Sequence, residues 1–172
     1  MMIQSENIPE EQMKMIRDIY ESTNRLSKLN QSLLLLAKIE NRQFHETQSV
    51  DLRTLIEKKL EIFEDMIAFR NISVEKRVGW GLKYPPTAGI TMNPQLADIL
   101  LSNIIGNAIR HNIPNGEIKI ELTSNSIIVS NSGNPLPVSP EKLFDRFQKA
   151  SPSGESVGLG LSIVKQICDS YN

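Results

Sequence analysis

The chain has 172 residues, and its 19 basic and 20 acidic side chains give a formal net charge of −1. This length suits one domain with a real core, or a small domain with an appendage, and is too short for two full domains. The charge balance creates no field that would make nucleic acid the partner. The single cysteine, Cys168, excludes an internal disulfide, and its apolar neighbours predict a buried thiol.

The N-terminal residues do not have the charged and then apolar pattern of a secretion signal. The longest aliphatic run, Leu33 to Ala37, is far too short to span a bilayer. We therefore expect a soluble cytoplasmic chain, and we assign any membrane anchor to other parts of a longer parent protein.

A long helix is predicted from Glu10 to about Glu40, a stretch without Gly or Pro. Its apolar positions alternate spacings of three and four residues, which is a heptad seam, and further apolar residues widen it enough to favour a four-helix bundle. A helix that packs only on its own domain is the alternative. The seam consists of Ile16, Ile19, Thr23, Leu26, Asn30, Leu33 and Ala37, widened by Tyr20, Leu29, Leu34 and Leu36.

Residues 41–49, between Glu40 and Val50, become polar and lose this periodicity, which predicts a connector between two folded units. Asp51 then resembles an N-cap, and the helix that it starts is expected to end near Asn71. Alternating strands and helices follow, so the fold class is α+β, a two-layer sandwich with a mixed sheet covered by helices on one face. The predicted elements are strands at 72–78, 88–92, 117–124 and 126–132, and helices at 96–112, 140–147 and from about 160.

The helix at 96–112 has a narrow polar stripe along an otherwise apolar surface. At about 100° per residue, Asn103, Asn107 and Arg110 fall within roughly 60° of one another. Solvated flank residues would give the same spacing. The stripe is therefore a candidate site only in combination with other features of the chain.

Three further segments provide such features. Asn131 and Gly133 end a strand with a polar acceptor and a residue that permits close approach to the backbone. Phe144 and Phe147 flank a short charged element, although a core role for both is the alternative. The segment 158–161, Gly-Leu-Gly-Leu, opens a helix whose free N–H groups suit phosphates.

In this order and spacing, the motifs resemble the sensor histidine kinases of two-component systems, over nearly the whole chain. Residues 1–43 resemble the second helix of the dimerisation and phosphoacceptor domain, and residues 44–50 resemble the hinge. Residues 51–172 resemble the catalytic ATP-binding domain of the GHKL superfamily, without its C-terminal strands. The resemblance implies phosphoryl transfer from ATP to a histidine, a homodimer through the N-terminal helix, and a response regulator receiver domain as partner.

The resemblance also implies individual roles. Asn103 and Asn107 match the N box, where Asn107 would coordinate Mg²⁺, and Arg110 would reach the phosphates. The remaining residues implied to bind ATP are His111 beside the N box, Asn131 and Gly133 of the G1 box, Phe144 and Phe147 of the F box, Lys149 of the lid, and Gly158, Leu159, Gly160 and Leu161 of the G2 box.

Three departures qualify the resemblance. Asn131 replaces the usual Asp of the G1 box and Pro135 replaces its second Gly, so adenine recognition would depend on an uncharged amide oxygen. The phosphoacceptor motif is absent, and neither His45 nor His111 lies in a suitable context. The family also continues beyond the last residue of this chain. We therefore expect ATP binding without autophosphorylation.

Two other functions remain open. A true ATPase of the same superfamily would place a glutamate at position 103 to activate water, and Asn103 cannot act as a base near neutral pH. A non-catalytic interaction module is the second alternative, and the changes at Asn131 and Pro135 motivate it.

Overall fold

The computed structural model describes residues 9–77, 89–123, 126–136, 138–148 and 157–171. The helices are α1 (Glu10–Glu40), α2 (Leu52–Ile62), α3 (Glu64–Phe69), α4 (Pro94–Arg110) and α5 (Gly160–Ser170), with a short 3₁₀ helix at Pro140–Phe144. The strands are β1 (Gln48–Asp51), β2 (Ser73–Arg77), β3 (Gly89–Met92), β4 (Glu117–Leu122) and β5 (Ile127–Asn131).

Two helix starts follow directly from the sequence. The Asp51 carboxylate accepts hydrogen bonds from the backbone N–H groups of Arg53 and Thr54, at 3.0 and 3.3 Å, and begins α2. The hydroxyl of Thr54 also donates to this carboxylate, which lowers the pKa of Asp51. Asn93 caps α4 in the same way, and Pro94 occupies the first helical position, where no N–H is needed.

The strands form two small sheets. β2 pairs with β4 in parallel and β4 pairs with β5 antiparallel, which confirms the predicted mixed sheet. β1 and β3 form a separate antiparallel pair. Along β4, Ile118, Ile120 and Leu122 alternate into the core.

α4 connects two apolar clusters. Its first turn packs with the end of α1 and with α5, and the members of this first cluster are Leu36, Ile39, Met92, Leu96, Ala97, Leu159, Ile163 and Ile167. Its second half covers the mixed sheet, and this second cluster consists of Ile56, Ile72, Leu101, Ile105, Ala108, Ile109, Ile118 and Ile120. α4 is therefore fixed along its whole length, which leaves its polar stripe in a defined position.

Three expectations need correction. β1 lies where a connector without structure was predicted, since its pairing with β3 comes from residues about 40 positions further on. The helix after Asp51 is interrupted at Phe63, so α2 and α3 are separate. Cys168 is exposed rather than buried, because it lies in the last turn of α5, where Asp169 and Ser170 are exposed as well.

In the part of the chain that the structure describes, no helix has both the length and the apolar character needed to cross a bilayer.

Candidate functional site

The asparagine stripe of α4 lies against the start of α5. The Asn103 side-chain N–H donates to the Ile99 carbonyl oxygen at 2.8 Å, and its Oδ1 lies on the side that approaches Gly160. A Cβ added to Gly160 would lie 2.8 Å from that Oδ1 and 4.0 Å from Nδ2 of Asn107. Glycine at position 160 therefore permits the close approach of the two elements.

Arg110 joins the stripe through its side chain. Its Nη1 donates to Oδ1 of Asn107 at 3.2 Å, and its guanidinium is exposed. An amide oxygen and a cation thus lie side by side at the edge of α4 that was predicted from the sequence.

The N-terminus of α5 has the properties of an anion site. Its N-cap is Leu159, whose side chain cannot accept a hydrogen bond, so the first N–H groups of the helix have no side-chain cap. These N–H groups and the positive end of the helix dipole favour an anion. Burial of Leu159, which is 2% exposed, holds this end of the helix in place.

Gly158 precedes this helix and has a backbone conformation that requires glycine. Its φ is +77°, and a Cβ would lie 2.8 Å from the Gln148 carbonyl oxygen and 2.9 Å from the Phe147 carbonyl carbon. The segment around Phe147 is thus brought directly against the start of α5.

Phe144 and Phe147 are not core residues. Their side chains are 40% and 54% exposed, so the alternative of a plain core role is wrong. Phe147 also has a φ of +65°, which is unusual for a bulky side chain. The Phe147 side chain helps to line an open groove against α1, together with Ser22, Arg25, Leu26, Leu29 and Val157.

The segment 131–133 lies against the other end of α4. Asn131 is exposed at the end of β5, and its Nδ2 donates to the Ser132 carbonyl oxygen at 2.8 Å. This bond leaves Oδ1 of Asn131 as the acceptor. A Cβ on Gly133 would lie 3.3 Å from the His111 carbonyl oxygen, so the turn after β5 approaches the C-terminus of α4.

His111 is the C-cap residue of α4. Partial burial lowers the pKa of its imidazole, and the nearby Arg110 and Arg70 guanidinium groups lower it further. The ring is therefore neutral at neutral pH.

Arg70 is a residue of this region that the sequence did not indicate. Its Nη1 donates to the carbonyl oxygens of Ile109, at 2.5 Å, and Arg110, at 2.8 Å. These partners lie about 40 positions away in the chain, so no local pattern could have revealed the contact.

The structure thus brings together most of the residues singled out in the sequence. Asn103 and Asn107 lie beside Gly160 in the segment 158–161, and Arg110 is joined to them through Asn107. Gly133, next to Asn131 in the same turn, lies beside His111 at the end of α4. Lys149 falls outside the described residues. Amide oxygens, cations and uncapped N–H groups along one edge fit a ligand with phosphate groups.

Comparison with known proteins gives the family. The sequence model of the histidine kinase-, DNA gyrase B-, and HSP90-like ATPases matches residues 92–172. The heme sensor protein HssS of Staphylococcus aureus strain JH9 is 33% identical over 165 residues, which cover 91% of this chain and 34% of that protein. Residues 92–172 therefore belong to this ATPase family, and the similarity to a sensor protein extends over nearly the whole chain, which we call the kinase chain.

Solved structures support the same assignment. The nucleotide-free catalytic domain of histidine kinase ThkA is 29% identical and has a TM-score of 0.58, with 71% of this kinase chain and 79% of that chain covered. The Acinetobacter baumannii histidine kinase AdeS is 24% identical, has a TM-score of 0.65, and covers 97% of this chain and 77% of its own, which supports the fold. The kinase chain spans about a third of the length of the HssS relatives that it matches.

The C-terminal half of the kinase chain is therefore an ATP-binding catalytic domain in the GHKL-type α+β fold. This confirms the predicted family, the predicted fold class and the binding of a nucleotide.

Proposed function

We propose that the kinase chain binds Mg·ATP between α4 and the N-terminus of α5 and presents the γ-phosphoryl group to a histidine of a dimerisation domain, for relay to a response regulator receiver domain. The observation that supports this most directly is the position of Asn103 and Asn107 against the uncapped start of α5, with Arg110 held beside Asn107. In this proposal residues 1–43 belong to the dimerisation domain, residues 44–50 form a hinge, and residues 51–172 form the catalytic domain.

The phosphate end of the proposed site depends on Asn107, Arg110 and α5. Asn107 would hold Mg²⁺ through Oδ1, because a hard cation takes neutral oxygen ligands and keeps several waters. When bound, Mg²⁺ supplies positive charge that neutralises the phosphate oxygens. Arg110 provides a second positive charge beside Asn107, and the N–H groups of Gly160 and Leu161 orient the phosphates.

Asn103 favours transfer to a partner over hydrolysis. An amide cannot take a proton from water near neutral pH, so this position offers no general base. Its Oδ1 instead lies where it limits the space above Gly160. The lack of a general base at position 103 thus supports a site that holds ATP until an acceptor arrives.

The base end of the proposed site depends on Asn131 and Gly133. Oδ1 of Asn131 would accept a hydrogen bond from the adenine amino group, and Gly133 would allow the ring to approach the backbone. A neutral acceptor makes a hydrogen bond about half as strong as a carboxylate does. We therefore expect Asn131→Asp to tighten ATP binding. His111, Phe144, Phe147, Lys149 and Leu159 complete the proposed set of residues around the nucleotide.

The test measures binding and transfer separately. Isothermal calorimetry with Mg·ATP should give saturable binding, and Asn107→Ala should weaken it at least about tenfold, or about 1.4 kcal/mol. The matched control is Asn24→Ala on the exposed surface of α1, which should bind as the unaltered chain does.

Transfer is then tested with ATP labelled at the γ-phosphate, added to the chain alone and to the chain with a separately produced acceptor domain. Label should appear only on a histidine of the acceptor domain. Labelling of the chain alone on histidine would contradict the proposal. Steady hydrolysis that disappears in Asn103→Ala would favour the ATPase function, and no heat at millimolar nucleotide would favour a non-catalytic interaction module.

A further inference from the structure

We propose that Arg70 is a positioning residue, which holds the last turn of α4 and thereby places Arg110 and Asn107 for Mg·ATP. This inference rests on the proposed function, although Arg70 itself need not touch the nucleotide. Contacts of the Arg70 side chain connect the end of α3 to the end of α4.

The Arg70 side chain acts as a cap for α4. The last carbonyl groups of an α-helix have no following N–H within the helix and need other donors. Nη1 of Arg70 donates to the carbonyl oxygens of Ile109 and Arg110, at 2.5 and 2.8 Å. A cation at this end is also favoured by the negative pole of the helix dipole.

Arg70 is itself held firmly. Its backbone N–H donates to the Met66 carbonyl oxygen at 3.2 Å, and its own carbonyl oxygen accepts from Asn115 N–H at 3.1 Å. Next to it, Nδ2 of Asn71 donates to Oδ1 of Asn115 at 2.6 Å. The guanidinium is therefore attached to a fixed backbone, and it can restrain α4 rather than follow it.

Arg110 links this cap to the candidate site. Its carbonyl oxygen accepts from Arg70, and its side chain donates to Oδ1 of Asn107 at 3.2 Å. Helix ends that lose their caps open more readily than the rest of the helix. Loss of the Arg70 side chain would therefore release the backbone of Arg110 and weaken its contact with Asn107.

The experiment is a double-mutant cycle on Mg·ATP affinity, measured by calorimetry with Arg70→Ala, Arg110→Ala and both changes together. Arg70→Ala should weaken Mg·ATP binding about tenfold in the unaltered chain. In the Arg110→Ala variant the same change should weaken binding by less than about twofold, because the effects of two residues that act through one another are not additive. Arg70→Lys, which keeps the charge and an N–H donor group, should bind within about threefold of the unaltered chain. Arg53→Ala on α2 removes an equal charge elsewhere and should change affinity less than about twofold.

Two further measurements distinguish the proposed positioning role of Arg70 from a general effect of this residue on stability. Ile72→Val lowers stability through the second core cluster and leaves the Arg70 side chain in place, and at matched stability it should bind Mg·ATP normally. Hydrogen exchange should show faster opening of the amides of residues 107–111 in Arg70→Ala, with those of β4 unchanged. Additive effects of Arg70→Ala and Arg110→Ala, or equal weakening by Ile72→Val, would overturn the inference.

The failure of this inference can be told from failure of the proposed function. If the unaltered chain binds no Mg·ATP, the proposed function fails, while the hydrogen-exchange comparison still reports whether Arg70 holds the end of α4. If the chain binds Mg·ATP but residues 107–111 exchange at the same rate in Arg70→Ala, only the role of Arg70 is overturned.

Discussion

The two parts of α1, residues 10–26 and residues 27–40, both carry apolar side chains, but only the second part buries any of them. In the first part Ile16, Ile19 and Leu26 are 52%, 60% and 66% exposed, whereas in the second Leu36 and Ile39 are 1% and 3% exposed. One unbroken helix therefore belongs to two environments. Its end packs against the catalytic domain, and its beginning presents an apolar surface.

The buried half also brings α1 close to the candidate site. Leu36 and Ile39 lie in the same cluster as Leu159, Ile163 and Ile167 of α5. Leu159 is the N-cap residue of α5, the helix end proposed to receive phosphates. A movement of α1 would thus reach that end through direct packing, because close-packed side chains transmit displacement.

The sharpest test of this contrast is the same substitution in each half. Leu36→Ala should lower the free energy of unfolding by about 2–5 kcal/mol, because it removes buried methyl groups and leaves a cavity. Leu26→Ala in the exposed half should change it by less than about 0.5 kcal/mol. Denaturant unfolding of both variants measures the difference, and similar losses would contradict the division of α1.

The exposed half should control association rather than stability. We expect the chain to form dimers through α1, since an apolar seam of this length is an association surface. Replacing both Ile19 and Leu26 with Gln should weaken self-association by at least about tenfold and leave the unfolding free energy within about 0.5 kcal/mol. Sedimentation equilibrium measures this, with Lys28→Gln as the control outside the seam. A strictly monomeric unaltered chain at high concentration would contradict the dimer.

The sequence predicted the elements that have local signals. The caps at Asp51 and Asn93, the apolar face of α4 and the alternation along β4 each follow from a pattern within one segment. The Asn103–Asn107–Arg110 stripe was predicted in the same way, since spacing on one helix fixes relative position.

The features that could not be predicted from the sequence depend on partners that are distant along the chain. β1 has one apolar side chain, Val50, and its strand conformation comes from pairing with β3. The break between α2 and α3 at Phe63 is not marked by a nearby Gly or Pro in the sequence. The burial of Ile39 against α5 and the capping by Arg70 likewise require the folded chain, because no periodicity encodes which element packs where.

The smallest predicted effect concerns the ion pair between Glu40, at the end of α1, and Arg146, which follows the 3₁₀ helix. Both side chains are nearly half exposed, so solvent and salt screen the attraction. A double-mutant cycle with Glu40→Gln and Arg146→Gln should give a coupling of about 0.2–1 kcal/mol that declines as salt is added.

The Arg53–Glu57 pair is the matched control for this cycle, since both of its residues lie within α2. Its coupling should have a similar size, because exposure rather than location sets the strength of such pairs. If the Glu40–Arg146 coupling instead approached the loss expected for Leu36→Ala, charge and not apolar packing would hold α1 to the catalytic domain. A small coupling would leave Leu36 and Ile39 as the contacts that join the two.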